Sequence, residues 1–386
     1  MTKILITCGI FEPDAGGPAT YAPQIAQERI SKGVDVEVLT FSDKAHYDFD
    51  LDYGFKVTRV VRGNKISNYV RMFFILLQHI GRYDFVYSLD WLAIGLPLSL
   101  ASTLRRKKYY LRIGGGYIWE RYLLMGLEPM SLRAFYERGV YKKYPVFFHI
   151  IRFVFHRAEG IIFNSIKQRE LFTEYYDLDR AKTHTIFNPV PDDVRKVDRA
   201  EIEDKIVFAG RFITMKNIST LLRGFALADL PGYRLVLIGD GPTHDAMRKL
   251  VEDLQIGNRV EFVDKMRKRE VYEYARNARY LVIPSWTDIQ PMQFYESIAA
   301  GIPVLLTEEN YLNESDRLSV HINPHSYEDI AEKMKYLADD ENYKKFSEEF
   351  SLIKVDRGWK EVADKHMDVF NKLKTSSTKF EYRNTK

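Results

Sequence analysis

The chain has 386 residues, of which 46% are hydrophobic and 28% are charged, a composition that excludes a disordered or low-complexity protein. Its net charge of +4 is small for this length and argues against a protein that binds nucleic acid through its overall charge. A single cysteine, Cys8, excludes an internal disulfide, and the length favours two domains over one.

The amino terminus, MTKILITCGI, has the pattern of a short apolar strand and lacks the longer apolar core and cleavage site of a signal peptide. The longest weakly polar stretch, residues 91–104, falls short of the roughly 20 residues that span a bilayer, and Pro97 interrupts it. We therefore expect a cytoplasmic protein without a transmembrane helix.

The first half of the chain alternates apolar, β-branched runs with helix-like stretches, beginning with a helix predicted over Tyr21–Lys32. The predicted strands are Lys3–Cys8, Val34–Phe41, Asp84–Leu89, Lys108–Ile113 and Gly160–Asn164. Because parallel strands need such helical crossovers, we predict an α/β, doubly wound, Rossmann-like domain over residues 1–189.

Residues 188–200, NPVPDDVRKVDRA, are polar and interrupted by proline, which is typical of a connection between domains. A second series of predicted strands follows at Lys205–Phe208, Arg234–Ile238, Val260–Phe262, Tyr280–Ile283 and Val304–Thr307, with a helix over Ile218–Ala228. This pattern predicts a second Rossmann-like domain over residues 190–355. The remaining residues, 356–386, have helical spacing from Trp359 to Leu373 and need a surface on which to pack.

The segment FAGRFITMKN places two cations in the loop that follows the first strand of this second domain. Gly210 follows the strand, and Arg211 and Lys216 precede a helix whose predicted cap is Asn217. Guanidinium and ammonium groups beside a helix amino terminus favour a diphosphate, because they replace the water around its charged oxygens. The alternative is a solvated basic loop at a helix start.

The next predicted strand ends in IGDGP, residues 238–242. Gly239 and Gly241 let the backbone turn tightly and approach a ligand closely. A plain turn at a strand end explains the two glycines equally well.

The segment PSWTDIQPMQFYESIAAGIPVLLT, residues 284–307, is more specific. A strand ends at Pro284, an irregular loop follows, and a helix carrying Glu296 runs to Gly301. Asp288 and Glu296 bracket the loop. A carboxylate in this position can bind vicinal hydroxyl groups such as those of a ribose.

Together these segments resemble the retaining GT-B glycosyltransferases of the large glycogen and sucrose synthase-like family, glycosyltransferase family four. Arg211 and Lys216 stand where the family has its diphosphate-binding Arg and Lys, and Asp288 and Glu296 stand at its paired acidic positions. The resemblance implies the GT-B fold: two facing Rossmann-like βαβ domains, a central cleft, and a carboxy-terminal helix that crosses back to the first domain.

The first domain resembles the family in the stretch DAGGPATYAPQIA. It implies that Gly16 and Gly17 lie beneath the donor phosphates and the acceptor, before a helix that begins near Thr20. The alternative is a turn at a helix entry. The resemblance also makes Asn188 the hinge.

The chain departs from the family pattern in the loop after Pro284. Asp288 replaces the usual Glu and is one methylene shorter, while Ile289, Gln290 and Pro291 replace a small, often glycine-rich loop that holds the donor sugar. The donor sugar therefore does not follow from the resemblance.

The family's usual His before the acceptor loop is also absent, and RIGGGYIWERY, residues 112–122, stands in its place. We predict Glu120 as a catalytic candidate, and Trp119 and Arg121 as acceptor-side residues. The alternative is a surface pair of Glu120 and Arg121 with Trp119 packed in a wall of the cleft. Asp90, at another strand end, is a further acceptor-side candidate.

Retention in this family needs no evident protein nucleophile, since the leaving diphosphate can take the acceptor's proton on the same face. Arg211 and Lys216 would then be the main catalysts, stabilising charge on the leaving group. The sequence has no acidic Asp-x-Asp triplet at a strand end, so we expect neither a metal nor another cofactor.

Residues 136–160 interleave aromatic side chains with Lys142, Lys143, Arg152 and Arg157. This pattern fits a peripheral contact with an anionic membrane and a lipid-linked acceptor. A buried helix with basic ends fits it equally well, because Ile151 and Val154 also suit a core.

The leading hypothesis is an enzyme that moves a hexose from a uridine or guanosine diphosphate sugar to a hydroxyl group of a carbohydrate or lipid-linked acceptor. It would act in polysaccharide, glycolipid or glycoconjugate synthesis. One alternative is a catalytically weak module that binds nucleotide sugars, suggested by the altered loop at Asp288. The other is a nucleotide-sugar epimerase on the same fold, which would form product without an acceptor.

Overall fold

A computed structural model describes residues 1–14, 16–190, 194–199 and 201–383. Three predicted features lie partly outside these residues: the glycine loop at Ala15, the domain connection at residues 191–193 and Ala200, and the tail at residues 384–386.

The strands and helices alternate along the chain, as the sequence predicts. The strands are β1 (Lys3–Cys8), β2 (Asp35–Ser42), β3 (Lys56–Val61), β4 (Phe85–Ser88), β5 (Tyr110–Ile113), β6 (Gly160–Phe163), β7 (Thr183–Thr185), β8 (Glu203–Ala209), β9 (Arg234–Ile238), β10 (Val260–Val263), β11 (Ala278–Ile283), β12 (Val304–Thr307) and β13 (His321–Ile322). The helices are α1 (Gly17–Ile30), α2 (Lys65–His79), α3 (Gly95–Arg105), α4 (Tyr117–Leu124), α5 (Leu132–Glu137), α6 (Pro145–Arg157), α7 (Ile166–Tyr176), α8 (Ile218–Ala228), α9 (His244–Asp253), α10 (Lys268–Tyr274), α11 (Met292–Ala300), α12 (Tyr327–Ala338), α13 (Asp340–Ser351) and α14 (Trp359–Arg383).

The chain divides into two compact units, each built on one parallel sheet. The first unit comprises Met1–Gly114, Lys142–Pro189 and the chain from Arg357 onward, and the second comprises Gly115–Tyr141 and Val190–Asp356. The first sheet has the order β3-β2-β1-β4-β5-β6-β7, and the second has the order β10-β9-β8-β11-β12-β13. Parallel strands joined by helical crossovers confirm the predicted pair of Rossmann-like domains.

Each sheet is buried because its strands are nearly continuous apolar runs. Ile4, Leu5 and Ile6 of β1 are at most 2% exposed, and Leu281 and Val282 of β11 are fully buried. Such runs are typical of parallel sheets covered by helices on both faces. Three strands, β3, β7 and β13, do not follow from the sequence pattern, since β3 is rich in polar residues and β7 and β13 are very short.

Helix α14 belongs to the first unit, which confirms the predicted return of the carboxy-terminal helix. Its Phe370 ring packs 4.3 Å from the ring of Tyr110, between ring centroids. Arg29 of α1 donates a hydrogen bond of 2.8 Å to Asp364. The buried His366 of α14 forms a hydrogen bond with the Val362 carbonyl of the same helix. The apolar face of α14 therefore completes the core of the first unit.

One assignment needs correction. The predicted division at residue 189 placed residues 115–141 in the first domain, whereas α4 and α5 pack with the second unit. Leu132 at the start of α5 donates its backbone N–H to the Thr287 hydroxyl, 2.8 Å away. The division by position along the chain was wrong for this segment, because its hydrogen-bonding partner lies 155 residues further along the chain.

The predicted basic and aromatic stretch, residues 136–160, is not one helix. It contains the end of α5, a 3₁₀ turn over Val140–Lys143, and α6. Helix α6 buries Ile151 and Val154, as the core alternative requires, but it also exposes Val146 at 68%. Among the described residues, none of the helices combines the length and apolar character that crossing a membrane requires.

Candidate functional site

The loop that follows β8 carries the two predicted cations, and we call residues 210–217 the cation loop. Phe212 is fully buried, and its backbone N–H donates a hydrogen bond of 2.9 Å to the Asp240 carbonyl. Because Phe212 points into the core, its neighbour Arg211 is exposed to solvent. The cation loop therefore presents a guanidinium group at the carboxyl end of β8, where parallel α/β sheets bind ligands.

The loop that follows β11 lies against the cation loop, and we call residues 284–291 the acidic loop. The backbone N–H of Trp286 donates a hydrogen bond of 3.1 Å to the Met215 carbonyl. The side-chain amide of Asn217, which is 2% exposed, donates to the Pro284 carbonyl over 3.0 Å. Two loops 67 residues apart in sequence are thus joined into one surface.

Lys216 and Asp288 form an ion pair at the junction of these loops, with 2.5 Å between Nζ and Oδ2. The Ser285 hydroxyl donates to the same carboxylate oxygen over 3.0 Å. Both charged side chains are partly buried. The carboxylate consequently holds the lysine ammonium group in a fixed place beside the β8 strand end.

Glu120 lies beside this junction. Its Oε1 accepts a hydrogen bond of 2.8 Å from the Gly116 N–H. Burial raises the pKa of the Glu120 carboxyl, while the Gly116 N–H and the positive charge of Arg211 act in the opposite direction. Two of the predicted catalytic residues, Glu120 and Arg211, therefore lie close enough for the positive charge of Arg211 to act on the Glu120 carboxyl.

Trp119 and Arg121, the predicted acceptor-side residues next to Glu120, occupy different environments. Trp119 is 1% exposed, and its indole N–H donates to the Met130 carbonyl over 2.7 Å. Its ring thus stabilises the 115–141 segment, as the alternative of a packed tryptophan predicts. Arg121 lies on the same short helix, α4, and is half-buried.

Glu296 of α11 is 8% exposed, and both of its carboxylate oxygens have protein partners. Oε2 accepts a hydrogen bond of 2.8 Å from the Tyr272 hydroxyl. Oε1 lies 3.1 Å from the ammonium group of Lys268. A ligand hydroxyl at Glu296 would have to compete with Lys268, a residue that the sequence analysis missed because α10 carries no recognisable motif.

Gln290 in the acidic loop is 2% exposed and adopts a left-handed backbone conformation with φ of 54°. Its amide donates to the Tyr311 carbonyl over 3.2 Å, and its side-chain oxygen accepts from the Tyr295 hydroxyl over 2.5 Å. A non-glycine residue in this conformation needs such support. Gln290 therefore fixes the shape of the loop, while the neighbouring Ile289 is half-buried.

Two of the three predicted donor-binding glycines of the second unit, Gly239 and Gly241, lie where the backbone packs closely. Gly239 has φ of 141°, and a Cβ atom there would overlap the Gly210 carbonyl. A Cβ at Gly241 would lie 2.5 Å from the Phe212 carbonyl oxygen. These two glycines let the turn after β9 pack directly on the cation loop, as the strand-end-turn alternative requires.

The remaining predicted site residues, Gly16, Gly17 and Asp90, belong to the first unit. Gly16 precedes α1, and its carbonyl accepts the Thr20 N–H over 3.1 Å. Gly17 has open space where a Cβ would lie. Asp90 accepts backbone hydrogen bonds from Leu92 and Ile94, so it organises the turn before α3, and burial raises the pKa of its carboxyl.

Glu309 is a further carboxyl group that the sequence analysis missed. Its backbone carbonyl accepts the Asp288 N–H over 3.0 Å. Burial raises the pKa of its side-chain carboxyl, which a hydrogen bond from Ser131 partly offsets. The signal available in the sequence was its position two residues after β12, at the same edge of the sheet as the acidic loop.

The described parts of the chain contain no group of three or more His, Cys, Asp or Glu side chains arranged to hold a metal ion. The charged side chains that the structure brings together near the junction of the two loops include Arg211, Lys216, Asp288 and Glu120. Two cations beside carboxylates can bind a dianionic ligand and position its hydroxyl groups.

Known proteins resemble this chain along most of its length. Residues 15–194 match the family described as Glycosyltransferase Family 4, and residues 190–351 match the one described as Glycosyl transferases group 1. The chain is 26% identical over 326 residues to D-inositol 3-phosphate glycosyltransferase of Mycolicibacterium smegmatis, a match that covers 76% of this chain and 71% of that relative.

A second relative matches over a shorter stretch. Alpha-monoglucosyldiacylglycerol synthase of Streptococcus pneumoniae is 26% identical over 191 residues, covering 44% of this chain and less than half, 42%, of that relative. Among solved structures, Anabaena HepE in complex with UDP and glucose has a TM-score of 0.68 at 16% identity, covering 99% of this chain and 100% of that one. The structural likeness shows that the two chains share a fold.

Proposed function

This chain belongs to the GT-B glycosyltransferases, and on that basis we propose that it transfers a hexose from a UDP- or GDP-sugar to a hydroxyl group with retention of configuration. The observation that carries the proposal is the junction of the cation and acidic loops. There Lys216 forms an ion pair with Asp288, and the positive charge of Arg211 acts on the Glu120 carboxyl. The cations suit the donor's diphosphate.

Arg211 and Lys216 act on the leaving group in this proposal. The bond between the anomeric carbon and the diphosphate oxygen breaks, and the acceptor oxygen bonds to the same face of that carbon. The acceptor's proton passes to the departing diphosphate. Cations fixed beforehand beside that oxygen stabilise its developing charge without reorganising during the reaction.

Asp288 has two roles in the proposal. Its Oδ2 holds the Lys216 ammonium group, and the carboxylate lies where donor-sugar hydroxyl groups would approach. Glu296 binds the ribose hydroxyl groups, exchanging its contact with Lys268 for them. This exchange is inexpensive because the Lys268 side chain is 38% exposed and remains hydrated when displaced.

The acceptor we propose is a hydroxyl group of a carbohydrate or a lipid-linked molecule, in glycolipid, polysaccharide or glycoconjugate synthesis on the cytoplasmic side of a membrane. Relatives named for an inositol phosphate and for a glycosylated diacylglycerol support this class. Glu120 and Arg121 of the second unit are the acceptor-side residues that we propose.

The experiment measures release of UDP or GDP from a panel of sugar nucleotides, with and without a lipid and carbohydrate extract as acceptor. We expect one donor to be consumed, and Arg211→Ala to lower kcat by roughly 10²–10³-fold. Arg223→Ala, on the exposed face of α8, is the matched control and should leave kcat unchanged. The proposal would be refuted if no donor released its nucleotide and the Arg211→Ala substitution had no effect.

A second candidate is a nucleotide-sugar-binding module with weak catalysis. The observation that favours it is the acidic loop, where Gln290 is tied to Tyr295 and Tyr311 and Asp288 is tied to Lys216 and Ser285. Calorimetry separates the two candidates. Tight donor binding without turnover would favour the module, whereas acceptor-dependent turnover supports the transferase.

A further inference from the structure

Three helices of the first unit lie side by side on one face of its sheet. Helix α3 packs against α2 on one side and against α6 on the other. Each of the three buries one apolar row against the sheet, exemplified by Met72 and Leu76 of α2 and by Ile151 and Val154 of α6. This packing accounts for only one side of each helix.

The side that points away from the sheet is also apolar, and we call it the outer face. Its exposed members are Ile66, Val70 and Phe74 of α2, Leu100 and Leu104 of α3, and Val146 and Phe153 of α6. Their exposure ranges from 38% at Phe153 to 77% at Ile66. Positions four apart in α2 and α3 fall on one face of a helix, so these side chains form rows rather than scattered exposures.

The outer face has charges of only one sign along these helices. Residues 62–83, 91–114 and 142–158 contain no Asp or Glu. The exposed cations of these stretches include Lys65, Arg105, Arg106, Lys142, Lys143 and Arg157. None of these six forms an ion pair with any part of the chain that the structure describes.

Nearby acidic side chains are neutralised by other cations. Glu159 lies 3.3 Å from Lys108, and Asp177 lies 3.0 Å from Arg152. The six cations are therefore available to an anionic partner, although Arg105 also donates a hydrogen bond of 2.7 Å to the Leu77 carbonyl.

The cations stand at both ends of the apolar rows. Helices that connect parallel strands run in the same direction, so Lys65, Lys142 and Lys143 share one end of the outer face. Arg105 and Arg157 share the other end. An apolar strip between two groups of cations matches an anionic bilayer surface, where apolar side chains enter the acyl boundary and cations meet lipid phosphates.

We propose that the outer face of α2, α3 and α6 binds the surface of an anionic membrane. This surface extends well beyond residues 136–160, since most of its apolar side chains belong to α2 and α3. A second copy of the chain fits it less well, because a symmetric dimer through this face would bring its like charges together. The proposal does not depend on which reaction the second unit performs.

The test is sedimentation of the whole chain with vesicles of phosphatidylcholine, with or without about one third phosphatidylglycerol. We expect binding to the anionic vesicles, weaker binding to the neutral ones, and release by salt because screening weakens attraction to the lipid phosphates. Ile66→Ser with Phe74→Ser should weaken binding at least about tenfold. Lys142→Ser with Lys143→Ser should weaken it roughly 25-fold on anionic vesicles only.

Leu352→Ser is the matched control, because Leu352 is 70% exposed but lies in the second unit. It should bind vesicles like the unaltered chain, and thermal unfolding should show that all variants remain folded. Three results would overturn the proposal: no sedimentation with anionic vesicles, equal binding by the Ile66 and Phe74 variant, or an equal loss in Leu352→Ser. A dimer of the unaltered chain that persists at high salt but is absent in the Ile66 and Phe74 variant would also overturn the proposal, because the outer face would then bind a second copy of the chain.

Discussion

The two units share a strand order, apart from the additional edge strand β7 in the first, but use the loops at their strand ends differently. In the second unit, loops from separate strands are bonded to one another, as Asn217 shows by donating to the Pro284 carbonyl. In the first unit, the loops after β1, β2 and β3 are joined by ion pairs of Arg62 with Asp14 and Asp43, while two other contacts tie strand-end loops to the helices that follow them. Asp90 accepts the N–H of Ile94, and Gly16 accepts the N–H of Thr20.

This difference shows where a rigid charged site can form. A side chain held by a neighbouring strand's loop keeps its position when a ligand replaces water, which favours binding of a preorganised kind. In the first unit the Arg62 guanidinium already faces two carboxylates, whereas Arg211 of the second unit is exposed at its strand end. The second unit therefore offers the exposed cation that the proposed diphosphate site requires, and the outer face is the distinctive surface of the first unit.

The largest expected contrast concerns the glycines of the two units. Gly239→Ala should lower the free energy of unfolding of the chain by roughly 3–5 kcal/mol, because the new Cβ meets the Gly210 carbonyl at a positive φ. Gly17→Ala should change it by less than about 1 kcal/mol, since open space surrounds that position. Denaturant unfolding measures both.

Equal effects of the two substitutions would contradict this comparison. If Gly17→Ala leaves stability intact but weakens donor binding, the glycine would serve a ligand rather than the fold. Calorimetric titration with UDP is the measurement that separates these roles.

The second contrast concerns how the stability of the first unit changes as the pH falls. Burial lowers the pKa of His366 from 6.5 to about 3, with help from the positive charge of Arg112. The neutral ring thus stabilises the first unit above pH 6.5, and this stability is lost as the pH falls from 6.5 toward 3. We expect a loss of roughly 2 kcal/mol or more over that range.

His366→Gln isolates this effect, because glutamine keeps a polar side chain but does not titrate. The difference in unfolding free energy between the variant and the unaltered chain should shrink as the pH is lowered. A difference that is independent of pH would show that His366 does not control acid stability.

The smallest contrast has the opposite sign and lies in the second unit. The pKa of Glu120 is raised, so the carboxyl contributes most to stability when it is protonated, and that contribution is lost as the pH rises through its pKa. Glu120→Gln should stabilise the chain at neutral pH by less than about 1 kcal/mol. The gain should vanish in acid, and thermal unfolding at several pH values measures it. A destabilised variant at neutral pH would indicate that the pairing of the Glu120 charge with Arg211 outweighs its burial.

Much of the fold followed from local pattern. The predicted strands Lys3–Cys8, Arg234–Ile238 and Val304–Thr307 agree with the structure at both ends, and so does the helix Ile218–Ala228. Apolar runs and helical periodicity are properties of neighbouring residues, so a single sequence carries them. Short or polar strands such as β7 and β3 carry too little of that pattern to be predicted.

The sequence by itself determined the two Rossmann-like domains and the order of Arg211, Lys216, Asp288 and Glu296 along the chain. Only the tertiary structure decided that residues 115–141 join the second unit, that Glu296 is engaged by Lys268, and that Gly239 serves backbone packing. These features depend on contacts between segments distant in sequence. Each segment alone is compatible with several partners, and the packing of the whole chain selects one.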